Sequence, residues 1–296
     1  MRKEIAMEGA RTNASTVMTI ILDGKSVAAH VEDVLSARVS AFKTRHGYVP
    51  VLATILVGAD PSSATYVKMK GNACRRVGMA SKAIELPEAS TTSDVLAAID
   101  ALNADPHVQG ILLQHPVPKH VNERLCFDRI HVTKDVDGVT SHGFGRMALG
   151  EPAFGSATPA GIMRLLAHYN IDVAGKRAVV IGRSAILGKP MAFMLSNANA
   201  TVTLCHSRTL NLADEVRRAD IVVAAVGKPK FVQGDWIADN TIVIDAGYHN
   251  GGIGDIDHSG LVGRCAAVTP VPGGVGPMTI STLIGHTLTA AEQSAS

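Results

Sequence analysis

The sequence predicts an α/β protein of two domains, an N-terminal three-layer βαβ domain followed by a C-terminal Rossmann-type domain. Three observations carry that prediction. Apolar runs of strand length alternate with helical patterns along most of the 296 residues, as parallel sheets with helical cover require. A passage rich in Gly, Ser and Pro breaks the rhythm near the middle. Beyond it the alternation restarts with strand, glycine loop and helix in direct succession, the order that aims helix N-terminal amides at an anion.

The elements follow in order. The opening MRKEIAMEGARTNASTVM is polar and of mixed charge, and Glu4 and Glu8 disfavour a transit peptide. Residues 1–18 are therefore expected to form a disordered extension, with Met18 an alternative start. VLATILVG (51–58), KAIEL (82–86) and VQGILLQ (108–114) read as strands. Between them SSATYVKMKGNACRRVG and TTSDVLAAIDALNAD read as helices, the second opening on a capping-type Thr/Ser-Asp cluster. The passage HGFGRMALGEPAFGSATPAG (142–161) is the expected boundary, with a helix from about Pro159 to Tyr169 behind it. A second series follows: RAVVIG (177–182), TVTLC (201–205), DIVVAAVG (220–227) and TIVIDAG (241–247). A last helix is expected from Thr279 and is placed against the first domain. The resulting division is 19–155 with 279–296, and 156–278.

Bulk properties narrow the function classes. A net charge of +2 asks for neither nucleic acid nor an anionic membrane. Aromatics at 4% argue against stacking platforms for bases. Cys74, Cys126, Cys205 and Cys265 are far apart with no CxxC pair, which reads as free thiols in a reducing compartment. No apolar run reaches spanning length, and a cytoplasmic protein is expected.

In AVVIGRSAILGKPMAFML, Gly182 ends a strand, Gly188 precedes a helix, and Pro190 suits its first turn. The spacing is not G-x-G-x-x-G, so an ordinary βα connection remains an alternative on this stretch alone. The next strand sharpens the reading. Dinucleotide enzymes that use NAD place a carboxylate about 20 residues on, against the ribose. Here that region holds His206, Ser207 and Arg208 instead. Guanidinium and hydroxyl groups would receive a 2′-phosphate that a carboxylate would repel. NADP is favoured, with Arg183 and Ser184 the stronger pair and Arg208 also readable as a solvated surface residue. Gly227, ending DIVVAAVG, is assigned to the same site.

Three features of the first half converge if its sheet is parallel. Tyr66 and Lys70 are four apart in YVKMK and so share a helix face. Gln114 ends the strand GILLQ, where open α/β sheets place ligands. Asp137 lies in the turn-like KDVDG. On spacing alone Lys68 and Lys70 read better as a solvated face, Gln114 as an edge cap and DVDG as a plain turn. The prolines of QHPVP add weight by stopping the strand abruptly and fixing the exit of Gln114.

The same order of YVKMK, GILLQHPVP, KDVDG, GRSAILGKP and TPVPGGVGPMT, across roughly residues 19–290, resembles the bifunctional methylenetetrahydrofolate dehydrogenase/cyclohydrolase family. The resemblance implies an N-terminal catalytic domain, a C-terminal NADP-binding domain, a folate in the cleft between them, and a homodimer. It implies NADP-dependent oxidation of 5,10-methylenetetrahydrofolate, then hydrolysis of the methenyl product to 10-formyltetrahydrofolate. Lys70 matches the catalytic lysine, Gln114 its hydrogen-bond partner and Tyr66 the aromatic beside the folate. Asp137 matches the carboxylate that holds the pterin, and Arg183 with Ser184 the 2′-phosphate contacts. Pro272, Gly273 and Gly274 match a loop passing close to both ligands, where omitted side chains let backbone approach and prolines stiffen it. No metal is expected, since the substrate is already electrophilic and the oxidant organic.

Four positions depart from the family pattern. Ala157 stands where it usually has Cys, with little expected effect. His115, in place of an apolar residue, is expected to alter the field at Lys70. Tyr248 and His249 stand where Ile-Asn is more usual, which puts nicotinamide contacts and coenzyme preference in question.

Overall fold

Two parallel sheets organise the chain. The computed structural model describes residues 18–295, so the expected extension lies, except for Met18, outside the described residues. In chain order the elements are β1 (Ile20–Ile21), α1 (Gly24–His46), β2 (Val51–Val57), α2 (Pro61–Arg76), β3 (Ala80–Leu86), α3 (Thr92–Ala104), β4 (Gly110–Leu113), α4 (Glu123–Arg129) and α5 (Ser141–Ala148). After them come α6 (Ala157–His168), β5 (Arg177–Ile181), α7 (Gly188–Asn197), β6 (Thr201–Cys205), α8 (Leu212–Arg217), β7 (Ile221–Ala224), β8 (Ile242–Asp245), β9 (Ala267–Val268) and α9 (Val275–Ser294).

The first sheet is β3-β2-β4 and the second β1-β9-β8-β7-β5-β6, every pairing parallel. Each is covered by helices on both faces. Leu52 and Leu112 pack on one side of the first sheet, Ala53, Ile55, Ile111 and Leu113 on the other. Val180, Val223 and Ile244 line one side of the second sheet, Val179, Val222 and Val243 the other. Capping follows the residues: Asp60 accepts the Ser63 N–H with Pro61 at the helix start, and Thr91 with Asp94 forms a complete capping box.

Several elements differ from the sequence expectation. The last helix begins at Val275 rather than Thr279, so Gly276 and Pro277 fall in its first turn, where Pro lacks only an N–H that would be unpaired anyway. Ser141–Ala148 is helical inside the expected boundary passage. β1, β9 and the long α1 were not anticipated. β1 pairs with β9, so residues before the first sheet join the second. α1 and α9 each serve both cores: Val27 and Met278 belong to one cluster, Leu35 and Leu283 to another.

In both sheets the strand order reverses, β2 lying between β3 and β4, and β5 between β6 and β7. Such switch points open a crevice beyond the strands' carboxyl ends. The two crevices converge. Ile186 of the glycine loop packs against the first sheet's core, and the rings of Phe144 and Phe193 meet edge-on at 5.5 Å. No helix among the described residues is long and apolar enough to cross a membrane. The four cysteines are buried and free.

Candidate active site

Beyond β4, Gln114 is 8% exposed and both ends of its amide are engaged. Its Oε1 accepts from Lys70 Nζ at 2.9 Å, and its Nε2 donates to the His115 carbonyl at 2.7 Å. Its own N–H continues the ladder to the Ile55 carbonyl. The peptide bonds His115–Pro116 and Val271–Pro272 are both cis. Lys70 arrives from α2, one turn beyond Tyr66, which is 41% exposed at the cleft. Burial pushes the Lys70 amine below the usual lysine range, against the opposing pull of Asp137.

Asp137 comes from a tightly built turn. The buried Asp135 accepts the N–H groups of Val139 and Thr140, the Ala157 N–H donates to the Asp137 carbonyl, and Ser156 Oγ donates to the Gly138 carbonyl. From behind, His286 of α9 donates Nδ1–H to the Val136 carbonyl at 2.9 Å. The Asp137 carboxylate itself accepts no hydrogen bond from the described residues. Desolvation raises its pKa, while Lys70 pulls the other way. An open acceptor beside a bridled amine is therefore preformed.

The His115 ring is engaged by Glu123. Its Nδ1 meets Glu123 Oε1 at 2.5 Å, which raises the imidazole pKa and lowers that of the carboxyl. Its link to the lysine runs through its backbone carbonyl and Gln114.

Across the cleft, Gly182 turns with φ +119 at the end of β5, and a Cβ there would lie 2.1 Å from the Ala225 carbonyl oxygen. The β5 and β7 ends therefore meet over bare backbone. Ser184 Oγ accepts from the N–H groups of Leu187 and Gly188 at the start of α7, which leaves its hydroxyl hydrogen to donate. The Arg183 and Arg208 side chains are exposed and pair with no carboxylate among the described residues. In the β6 turn, His206 Nδ1 accepts the Arg208 N–H, and Ser207 is exposed. Gly227 adopts φ +66. Unpaired guanidiniums at neighbouring strand ends, beside a turn stripped of side chains, fit an NADP phosphate cluster.

The proline/glycine loop leaves β9 at the same edge. Space beside Gly273 is open, while Gly274 is closely packed. A Cβ on it would meet Pro270, and its own carbonyl would clash with a Cβ on Gly24 at 1.8 Å. The 249–253 turn leans on Pro272. Tyr248, 60% exposed, lies near enough to Tyr66 to raise its pKa, after burial the second cause. Sequence reasoning missed Asp245 and Asp255, buried carboxylates behind these loops whose partners are mostly backbone N–H groups.

Residues 22–137 match the family profile described as tetrahydrofolate dehydrogenase/cyclohydrolase, catalytic domain, and residues 156–295 match its NAD(P)-binding domain. The chain is 66% identical to the bifunctional protein FolD of Acidobacterium capsulatum, over 93% of this chain and 98% of that protein. It is 64% identical to the FolD of Cellvibrio japonicus over 93% and 98%. Among solved structures, the bifunctional FolD of Campylobacter jejuni superposes with a TM-score of 0.91 at 41% identity, covering 93% of this chain and 99% of that one. The Trypanosoma brucei enzyme, complexed with NADP cofactor and inhibitor, gives 0.89 at 34% identity, covering 94% and 98%. With both halves matched, the chain belongs to the tetrahydrofolate dehydrogenase/cyclohydrolase family.

Proposed function

We infer that the protein is a bifunctional enzyme that oxidises 5,10-methylenetetrahydrofolate to the 5,10-methenyl compound with NADP+ and hydrolyses that product to 10-formyltetrahydrofolate. The observation that carries the reading is the Lys70–Gln114 hydrogen bond beside the unengaged Asp137 carboxylate, facing a glycine turn with free guanidiniums. Residues 19–155 with 279–295, apart from β1 in the second sheet, form the folate half and 156–278 the cofactor half. The resemblance adds a homodimer, and the composition a cytoplasmic setting.

NADP+, when bound, supplies the two-electron acceptor. Arg183, Ser184 and Arg208 would hold its 2′-phosphate end, with His206 and Ser207 beside them, and Gly182, Gly188 and Gly227, lacking side chains, would let its phosphates and ribose come close to the backbone. Asp137 accepts from the amino and ring N–H groups of the pterin, and Tyr66 lies against the folate. The oxidised product is a cation, so a charged ammonium in contact with it would oppose its formation. Lys70 in its neutral form, favoured by burial, avoids that repulsion. In the second reaction water adds to the methenyl carbon and gives up a proton to the Lys70 amine. The carbon–N5 bond then breaks as N5 takes a proton from the Lys70 ammonium and the adduct's hydroxyl loses its proton to solvent, leaving the formyl group on N10 with one proton released overall. Gln114 holds the amine in line without adding charge.

A paired assay tests the reading. Methylene oxidation is followed with NADP+ and separately with NAD+, and methenyl hydrolysis without either. Both reactions are expected, with NADP+ preferred. A protein that turns over neither folate would end the proposal.

A further inference from the structure

Asp245 and Asp255 take no part in the chemistry above, yet both are almost fully buried, at 1% and 0% exposed. A buried carboxylate is costly unless surrounded by donors, and each of these has four. Asp255 Oδ2 accepts the N–H groups of Val226 at 2.6 Å and Gly227 at 2.9 Å. Its Oδ1 accepts the Lys228 N–H at 3.0 Å and His249 Nε2–H at 2.8 Å. Asp245 Oδ1 accepts the N–H groups of Gly247 and Asp255, both at 2.9 Å. Its Oδ2 accepts the Ile256 N–H at 2.9 Å and His258 Nε2–H at 3.0 Å. Two glycines make room for the carboxylates. A Cβ on Gly247 would lie 2.4 Å from the Asp255 carboxyl, and one on Gly254 2.0 Å from Asp245 Oδ2.

The placement of these donors separates a loop clamp from ordinary core support. The sheet ladder ends with the Ala225 N–H on the Ile181 carbonyl and the Ala246 N–H on the Ala224 carbonyl. The next amides along, those of Val226 and Gly247, pass directly to the carboxylates. Residues 226–228 leave β7 at the switch point beside Gly182, and residues 247–249 leave β8 toward the cleft. These are the two stretches that follow the strand ends at the crevice read as the dinucleotide site.

We propose that Asp255, held by Asp245 and His249, is a positioning residue that fixes the cofactor-facing backbone of residues 226–228 and 247–249 and thereby sets affinity for NADP+. This rests on the reading of that crevice as the dinucleotide site. The clamp lies behind the loops, so it acts on the cofactor half and leaves Lys70, Gln114 and Asp137 untouched.

The experiment compares the full-length protein with Asp255→Asn and His249→Gln. NADP+ dissociation constants are read by calorimetry, and methenyl hydrolysis is read without cofactor. Loss of hydrogen bonds to a buried charge predicts NADP+ binding weaker by at least about tenfold in Asp255→Asn and by about threefold in His249→Gln. Hydrolysis in both is expected within about twofold of wild type, since a positioning role leaves the other half intact. Wild-type NADP+ affinity in both folded variants overturns the proposal, as does a parallel loss of hydrolysis, which would mark a general collapse. If Asp255→Asn does not fold, His249→Gln, which alters one of four donors, decides alone. Wild type that binds NADP+ without oxidising methylenetetrahydrofolate counts against the activity, while the affinity comparison still stands. Wild type that binds no NADP+ overturns both.

Discussion

At the end of β4 the functional groups are side chains: an amine, an amide and a carboxylate from three different elements. At the ends of β5, β7 and β8 it is the shape of the backbone turns that faces the cleft, with the amides of Val226, Gly227 and Gly247 held from behind by buried carboxylates. Both crevices arise from the same reversal of strand order, yet one is tuned by desolvation and the other by backbone shape. A side-chain site is broken by deleting one group. A backbone site yields to loss of whatever holds the turn or of the charges at its rim.

The largest expected effect falls on the side-chain half. Lys70→Met keeps much of the stem but removes the amine that Gln114 holds, and general acid–base groups contribute about 10²–10⁴-fold. Methenyl hydrolysis should fall by about that factor while NADP+ affinity stays within about twofold, the independence expected of distant sites. Hydrolysis at the wild-type rate would remove Lys70 from the mechanism and erase the contrast between the halves.

A smaller effect is expected at the rim of the backbone half. Arg183→Ala deletes an unpaired guanidinium without disturbing any ion pair among the described residues. Loss of a hydrogen bond to a charged group is worth about 1.5–3 kcal/mol, so the KM for NADP+ should rise about 10–100-fold with NAD+ little affected. Steady-state kinetics with both coenzymes reads the difference. Equal changes for the two would mean that Arg183 does not receive the 2′-phosphate.

The same contrast explains what was legible in the sequence. Tyr66 and Lys70 share a face because helical spacing is local, and Gln114 follows an apolar strand that Pro116 cuts off. Gly182 and Gly188 announce a turn by themselves. Asp245 and Asp255 do not, because most of their donors are backbone amides with no side-chain identity, as far away as Val226. β1 and β9 span two residues each, too short to carry an alternating pattern. α1 was passed over although Val27, Leu35, Val39 and Phe42 are buried along it, since charged residues surround that stripe. In the boundary passage Gly143 and Gly145 suggested loop, yet Thr140 caps a helix there through the Gly143 N–H.

His286 offers the smallest test, and it asks how far one helix binds the two halves together. α9 starts beside the proline/glycine loop of the cofactor half and carries His286 to the carbonyl of Val136, next to Asp137. Burial lowers the imidazole pKa to about 4, from an ordinary value of 6.5, with Arg164 adding to the shift and the Val136 carbonyl opposing it. The folded protein thus keeps His286 neutral where the unfolded chain already binds a proton. Between about pH 6.5 and pH 4 the unfolded state holds the extra proton, so stability falls as pH falls and this contribution levels off below about 4. At most one proton is involved, a slope of about 1.4 kcal/mol per pH unit at its steepest. Urea titrations across that range should show a shallower acid limb in His286→Gln than in wild type. Because the ring holds the Asp137 turn from behind, the same substitution should raise the KM for the folate by a few-fold, about the loss of one hydrogen bond, and leave the KM for NADP+ unchanged. An unaltered acid limb would show that the imidazole is solvated in the folded protein. A change in the NADP+ constant would show that α9 transmits strain from the side-chain half to the backbone half.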